Sequence, residues 1–145
     1  MSPQRDRPLE LPARLRLVVT RLARRLRQQS ETSVSPTQIA ALATIERRGP
    51  LTLGELAEIE AVQPPTITAA VDRLEQQGLV QRHRDADDRR VTRVQIAPPG
   101  RRLLEESRSR KTAYLDRRLQ SLTARERATL ERAAAIFERV LEDRE

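Results

Sequence analysis

Apolar residues recur along this chain at two periods, and the change between them marks a hairpin among helices. From about Leu9 to Gln29, Leu11, Leu15, Val18, Leu22 and Leu26 fall at helical spacing, with arginines on the other faces. The stripe is narrow, so this helix is stable only when laid on a partner. Ser35-Pro36-Thr37-Gln38 then reads as a helix start: a capping serine, a proline at the first helical position, and a glutamine that completes a capping box. Ile39, Leu42, Ala43 and Ile45 give the buried side of that short helix, and Gly49-Pro50 stops it. Thr52-Leu53-Gly54-Glu55 is a second capping box, opening a helix expected to bury Leu53, Leu56, Ala57 and Ile59. After a turn at Glu60-Ala61-Val62-Gln63, a third helix opens at Pro64-Pro65. Ile67, Ala70, Val71 and Leu74 form its core face, and Gly78 is placed as a left-handed cap.

Beyond Gly78 the pattern alternates. Leu79 to Arg84 and Val91 to Ala97 read as strands, with Thr92, Val94 and Ile96 on one face. The segment between them, Asp85-Ala86-Asp87-Asp88-Arg89-Arg90, is too charged for a core and becomes a hairpin tip. Helix returns at Pro98-Pro99-Gly100, with apolar positions at Leu103, Leu104, Tyr114, Leu115, Leu119 and Leu122. Thr123-Ala124-Arg125-Glu126 is a further capping box, starting a last helix striped by Leu130, Ala133, Ala134, Phe137, Val140 and Leu141. Met1 to Pro8 is polar and expected to fray. No internal repeat or long linker interrupts this order.

Composition narrows the picture. The chain has 145 residues, 34% of them charged and only 1% aromatic, so its core must come from aliphatic side chains. Lysine and arginine total 28 against 21 acids, a net charge of +7. That suits a polyanion, with nucleic acid the first candidate and an anionic membrane surface the second; simple solubility is the plain alternative. Cysteine is absent, excluding disulfides and thiolate sites, and the single histidine, His83, excludes histidine-rich metal centres. Neither a metal nor a cofactor is expected. Arg5, Arg7, Arg14 and Arg16 interrupt every apolar run near the start, so no signal peptide or membrane span is expected and the location should be cytoplasmic.

Two short helices joined by a tight turn and followed by a hairpin are the parts of a winged helix-turn-helix, with Gly49 to Leu51 as a minimal first strand. The second helix of the pair, from Pro64 to Gln77, would enter the major groove and present Thr66, Thr68, Ala69, Asp72 and Arg73. Helix starts at Ser35, Thr37 and Pro65 would meet phosphates. Arg82, Arg84, Arg89 and Arg90 cluster on or beside the hairpin among Asp85, Asp87 and Asp88. Arginines on a thin ribbon suit a narrow minor groove, and neighbouring carboxylates can hold them extended. A solvated amphipathic helix and a self-paired charged loop are the plain alternatives to these two readings.

The run from Asp85 to Arg90, the strand to Ile96 and Pro99-Gly100 resemble the wing of the MarR family of bacterial transcription regulators. Gln63-Pro64-Pro65-Thr66-Ile67-Thr68, Val71-Asp72-Arg73-Leu74-Glu75 and Gly78-Leu79-Val80 resemble its recognition helix and exit, and the likeness covers nearly the whole chain. It implies that Arg90 is the minor-groove arginine, with Asp88 its positioning partner and Arg89 beside it. The chain departs from the family at Ile96-Ala97-Pro98, where relatives commonly carry Leu-Thr. It also departs at Ala69 and Ala70, where larger side chains are usual, which implies modest base readout and more reliance on shape.

The fold expected is mainly α with a small two- or three-stranded β wing: a winged helix-turn-helix (35–100) flanked by N-terminal (1–34) and C-terminal (101–145) dimerisation helices in one intertwined domain. The resemblance implies a homodimer, and Leu11, Leu15, Val18, Leu119, Leu122, Phe137, Val140 and Leu141 are the positions assigned to its interface. Two-fold symmetry then predicts a pseudo-palindromic operator in double-stranded DNA. The DNA-contacting set is Ser35, Thr37, Pro65, Thr66, Thr68, Ala69, Arg73, Arg84, Asp88, Arg89 and Arg90. Many relatives release DNA on binding a phenolic or anionic effector. Here Tyr114 and Phe137 are the only aromatics, a poor supply for a phenol-stacking pocket; Arg14 or Arg16 could pair with a carboxylate, but solvated helix surface is the better reading, so the effector stays unidentified. His83 is read as a hydrogen-bonding wing residue, with pH sensing the other option. No Gly-rich phosphate loop, Cys-His pair or metal-spaced cluster points to catalysis. The function expected is a sequence-specific DNA-binding transcriptional regulator, a ligand-responsive repressor acting as a homodimer, and not an enzyme. A non-specific architectural DNA binder and a winged-helix adaptor for protein partners are the alternatives.

Overall fold

The computed structural model describes residues 10–30 and 32–142. Among them six helices and one hairpin follow the order α1 (Leu11–Gln29), α2 (Pro36–Arg48), α3 (Leu53–Glu60), α4 (Pro64–Gln76), β1 (Val80–Arg84), β2 (Thr92–Ile96), α5 (Pro98–Leu119) and α6 (Ala124–Glu142). The expected start at Leu9 and the segment Met1 to Pro8 lie outside the described residues. No described helix is long and apolar enough to cross a membrane.

Three capping boxes fix helix starts as the sequence predicts. Ser35 and Gln38 exchange side-chain-to-backbone bonds of 3.2 and 3.3 Å, Thr52 and Glu55 bonds of 3.1 and 3.0 Å, and Thr123 and Glu126 bonds of 3.1 and 2.9 Å. Each satisfies two amides that a helix start otherwise leaves open. At the far end of α4, Gly78 takes φ +71°, the left-handed cap expected of it. Ala61 closes α3 with φ 52°, a conformation that carries no comparable sequence signal.

The chain divides between 111 and 112 into two compact units. In the first, Leu42, Ile45, Leu56, Ile67, Val71, Leu74, Val80 and Val94 are almost fully buried and join the helix-turn-helix to the base of the hairpin. Burial of each such side chain contributes about 1.5–3 kcal/mol before conformational costs. The hairpin is antiparallel, with Val80 opposite Ile96, Arg82 opposite Val94 and Arg84 opposite Thr92. The third strand is reduced to one bridge: the Leu51 N–H donates to the Val94 carbonyl at 3.0 Å, and the Val94 N–H to Leu51 at 2.7 Å. α5 is seated where Gly100 lies so close to the Leu79 carbonyl that a Cβ would collide with it. Arg108 on α5 grips the Glu46 carboxylate through Nη2 at 2.9 Å.

Three expectations are corrected. Ile59 is exposed, because the short α3 turns Leu56 and Ala57 inward and Ile59 to its margin. Thr92 is exposed although it shares a strand with Val94 and Ile96, because hairpin packing ends at Val94. Both strands are one residue shorter at each expected end that lies outside the ladder: Leu79, Val91 and Ala97 fall beyond the paired residues.

α1 has no buried residue; Leu11 and Val18 are exposed, as are Val19 and Leu22, while Leu15 is half-buried. In the second unit α6 also buries nothing. Phe137, Val140 and Leu141 are exposed there together with Leu130 and Ile136, and Leu119 and Leu122 are half-buried. The Arg127 guanidinium closes the α5–α6 turn by donating to the Leu119 carbonyl at 3.0 Å, and Arg118 stacks over the Tyr114 ring.

Candidate nucleic-acid interface

Two prolines open α4, and its buried stripe of Ile67, Ala70, Val71 and Leu74 turns Pro65, Thr66, Thr68, Ala69, Asp72 and Arg73 to solvent. Ala70 therefore belongs to the core side and not to the outer face. The Thr68 hydroxyl donates to the Pro64 carbonyl at 3.0 Å, which leaves its oxygen as an acceptor and its methyl for apolar contact. Ser35 and Thr37 at the start of α2 line one hollow of about 180 Å³ with Thr66, Ala69 and Arg73 of α4. The Ser35 side chain caps Gln38, and Ile39 bonds back to the Ser35 carbonyl. Among the described residues, the Thr37 N–H is thereby the first-turn amide of α2 left without a hydrogen-bond acceptor.

The hairpin tip is held by its own aspartates. The Asp85 carboxylate accepts the Asp87 N–H at 2.8 Å and Arg93 Nε at 2.6 Å. Asp88 accepts the Arg90 N–H at 3.1 Å, its Nε at 3.2 Å and its Nη2 at 3.3 Å. Arg90 is thus gripped by Asp88 while its side chain stays 91% exposed. These bonds favour the charged carboxylates. The Arg90 guanidinium, then its backbone N–H, hold Asp88 below the usual carboxylate range, and Arg93, then the Asp87 N–H, do the same for Asp85. The Asp85 hydrogen bond in turn pushes the Arg93 guanidinium up.

Two arginines are occupied in ways that the sequence reading did not foresee. Arg82, grouped there with the wing cations, reaches back to α4 instead. Its Nη2 pairs with Asp72 and its Nε with Glu75 at 2.9 Å. Arg93 extends from Asp85 toward Glu55 of α3, with Nη1 at 3.7 Å. The available signal was Asp72 and Glu75, one helical turn apart, followed by a strand whose alternation puts Arg82 level with Val80. Arg73, Arg84 and Arg89 are exposed and form no ion pair among the described residues. His83 faces solvent opposite Arg93, without the hydrogen bond among the described residues that was expected of it.

Charge is unevenly spread. Residues 35–100 contain eight arginines and nine acids, whereas α1 contains six arginines and no acid. Residues 35–100 are therefore not the source of the excess positive charge. Among the described residues, Arg73, Arg84 and Arg89, which form no ion pair, and Arg90, held by Asp88, lie exposed on α4 and the hairpin.

A helix with an outward polar face, a second helix start beside it and an arginine-tipped hairpin define a winged helix-turn-helix. Residues 34–92 match the MarR family. A curated HTH-type transcriptional regulator of Mycobacterium leprae is 32% identical over 95% of this chain and 97% of its own length. The HTH-type transcriptional repressor MdtR of Bacillus subtilis is 34% identical, over 70% of this chain and 65% of its own. The structure of a MarR family protein from Bacillus stearothermophilus superposes with a TM-score of 0.77 at 30% identity, covering 92% of this chain and 94% of that one. The chain belongs to the MarR family of winged helix-turn-helix transcription regulators.

Proposed function

We propose that this regulator acts as a homodimeric repressor, inside the cell and without catalysis of its own, on a pseudo-palindromic operator. The observation that carries the reading is the shared outer surface: Ser35, Thr37, Thr66, Ala69 and Arg73 around one hollow, with the Arg90 tip on the hairpin that follows. α4 lies in the major groove, where Thr66, Thr68 and Ala69 meet base edges and thymine methyls and Arg73 meets a guanine or a phosphate. The α2 start and Pro65 face the backbone. Arg90, steadied by Asp88, enters the minor groove with Arg84 and Arg89 on flanking phosphates. The exposed stripes of α1 and α6, including Leu11, Val18, Phe137, Val140 and Leu141, are covered by the second copy together with Leu15, Leu119 and Leu122. In this reading 1–34 and 101–145 dimerise and 35–100 binds DNA, with recognition helices about 34 Å apart.

Repression is supported by the MdtR relative. An effector site is supported by a hollow of about 480 Å³ in which Arg27 and Lys111 face Val34, Pro36, Ile39 and Ala40, a lining for a small amphipathic anion. A non-specific architectural role is favoured by one observation, the small side chains at Thr66, Thr68 and Ala69.

Fluorescence anisotropy with the duplex upstream of its own gene, a scrambled duplex and a salt series decides between them. A specific regulator prefers the native duplex by about a thousandfold or more. About eight neutralised phosphates give a log–log salt slope near −7. Steep salt dependence without preference favours the architectural reading or an operator that lies elsewhere.

A further inference from the structure

The hairpin outgrows its packing. β1 is buried only at Val80, and β2 only at Val94 and Ile96; every residue between Gln81 and Thr92 is exposed or half-buried. A two-stranded ribbon has little stiffness of its own. At about 3.3 Å per residue, the tip projects roughly 13 Å beyond Arg82. A swing of about 10° at the last buried rung displaces the tip by about 2 Å, enough to break a hydrogen bond to a groove atom. Something other than apolar packing must therefore fix the angle.

We infer that Arg82 and Arg93 are positioning residues that lock the wing to the helix-turn-helix, so that the tip and α4 reach DNA in register. Arg82 sits opposite Val94, on the last buried rung, and Arg93 sits one rung further out, opposite His83. One arginine comes from each strand and each ties to a different helix. Arg82 spans Asp72 and Glu75 on α4, and Arg93 spans Asp85 at the root of the tip and Glu55 on α3. Glu55 is itself fixed, because its carboxylate accepts the Thr52 N–H in the α3 capping box. Arg82 also neutralises two carboxylates on the helix that must approach phosphates. All of these groups are partly exposed, so the pairs add little to folding stability. Their contribution is to geometry.

The inference rests on the reading of α4 and the wing as the DNA surface, and its test separates the two. Arg82→Lys and Arg93→Lys keep the charge that a phosphate contact needs, but an ammonium cannot hold two carboxylates in the fixed fork of a guanidinium. Each variant is expected to bind the preferred duplex on the order of tenfold more weakly, as for loss of one specific contact. The salt slope should be unchanged, and minor-groove protection at the operator edges should fade before that of the major groove. Wild-type affinity in Arg82→Lys, or a fall in slope of about one unit, overturns the inference. A measurement without DNA decides independently. The chain has no cysteine, so Gln77→Cys and Ala86→Cys can be spin-labelled and diluted with unlabelled chain. The distance distribution should be narrow with Arg82 and broad with Arg82→Lys; equal widths overturn the latch. If Arg90→Ala binds DNA like wild type, the wing reading itself fails, while the label distances still report on the latch.

Discussion

The winged module and the terminal helices use the same aliphatic residues to opposite ends. In α2, α3 and α4 the stripes meet one another across short turns, and Leu42, Leu56, Ile67 and Leu74 lose all contact with solvent. In α1 and α6 the stripes are as regular, yet no residue is buried, and Val140 and Leu141 stay 63% and 82% exposed. Periodicity states only that a face must be covered, not which chain covers it. The ions divide in the same way. In the module, nine acids outnumber eight arginines and several are paired, whereas α1 carries six arginines with no acid of its own.

The comparison breaks most sharply at Val140. Val140→Asp alters a position exposed in the single chain, so each chain should keep its far-ultraviolet circular dichroism. In the proposed dimer it puts an unpaired carboxylate into apolar surroundings twice, at a cost of several kcal/mol. Sedimentation should then show monomers, with operator binding lost. A Val140→Asp protein that stays dimeric places the interface elsewhere. Leu42→Ala tests the other side. It removes a fully buried side chain from the module and should lower the unfolding free energy by about 2–5 kcal/mol, read by urea denaturation at fixed protein concentration. A cost below about 1 kcal/mol would mean that this site collapses around the lost side chain, and that the core is less closely packed than its burial implies.

What could be read in advance follows the same line. Helix starts were legible because a capping box is a local exchange between residues three apart, as at Ser35–Gln38, Thr52–Glu55 and Thr123–Glu126. The Asp88–Arg90 fork is equally local. The outward face of α4 followed from its inward one. Arg82 and Arg93 were not legible as ties. Arg82's partners and Glu55 lie on other elements, Asp72 ten residues from Arg82, and the acidic pair at Asp72 and Glu75 alone does not separate an arginine aimed at DNA from one aimed at a neighbouring helix. Ile59 was misplaced because an eight-residue helix has room for a buried face of barely two residues.

The smallest effect expected is that of acid, and it separates the engaged carboxylates of the wing from ordinary surface ones. Asp85 and Asp88 titrate below the usual carboxylate range, because Arg93, Arg90 and the backbone amides of the tip favour their charged forms. A carboxyl whose folded value is depressed stabilises the native state above its unfolded value and loses that contribution as pH falls through the folded one. The wing bonds therefore persist through neutral and mildly acidic solution and fail only as pH falls below the ordinary aspartate range. Between pH 8 and pH 5, at constant ionic strength, these two groups should leave DNA affinity unchanged. Carbon-detected titration of the side chains should give midpoints for both aspartates below that of an unstructured aspartate, and Arg93→Gln should raise the Asp85 midpoint while leaving Asp88 in place. If both midpoints move together, the tip is one coupled network, not two separate clasps. A midpoint for Asp85 at the unstructured value would mean that Arg93 does not hold it in solution, and that the wing root is as loosely tied as the terminal helices are bare.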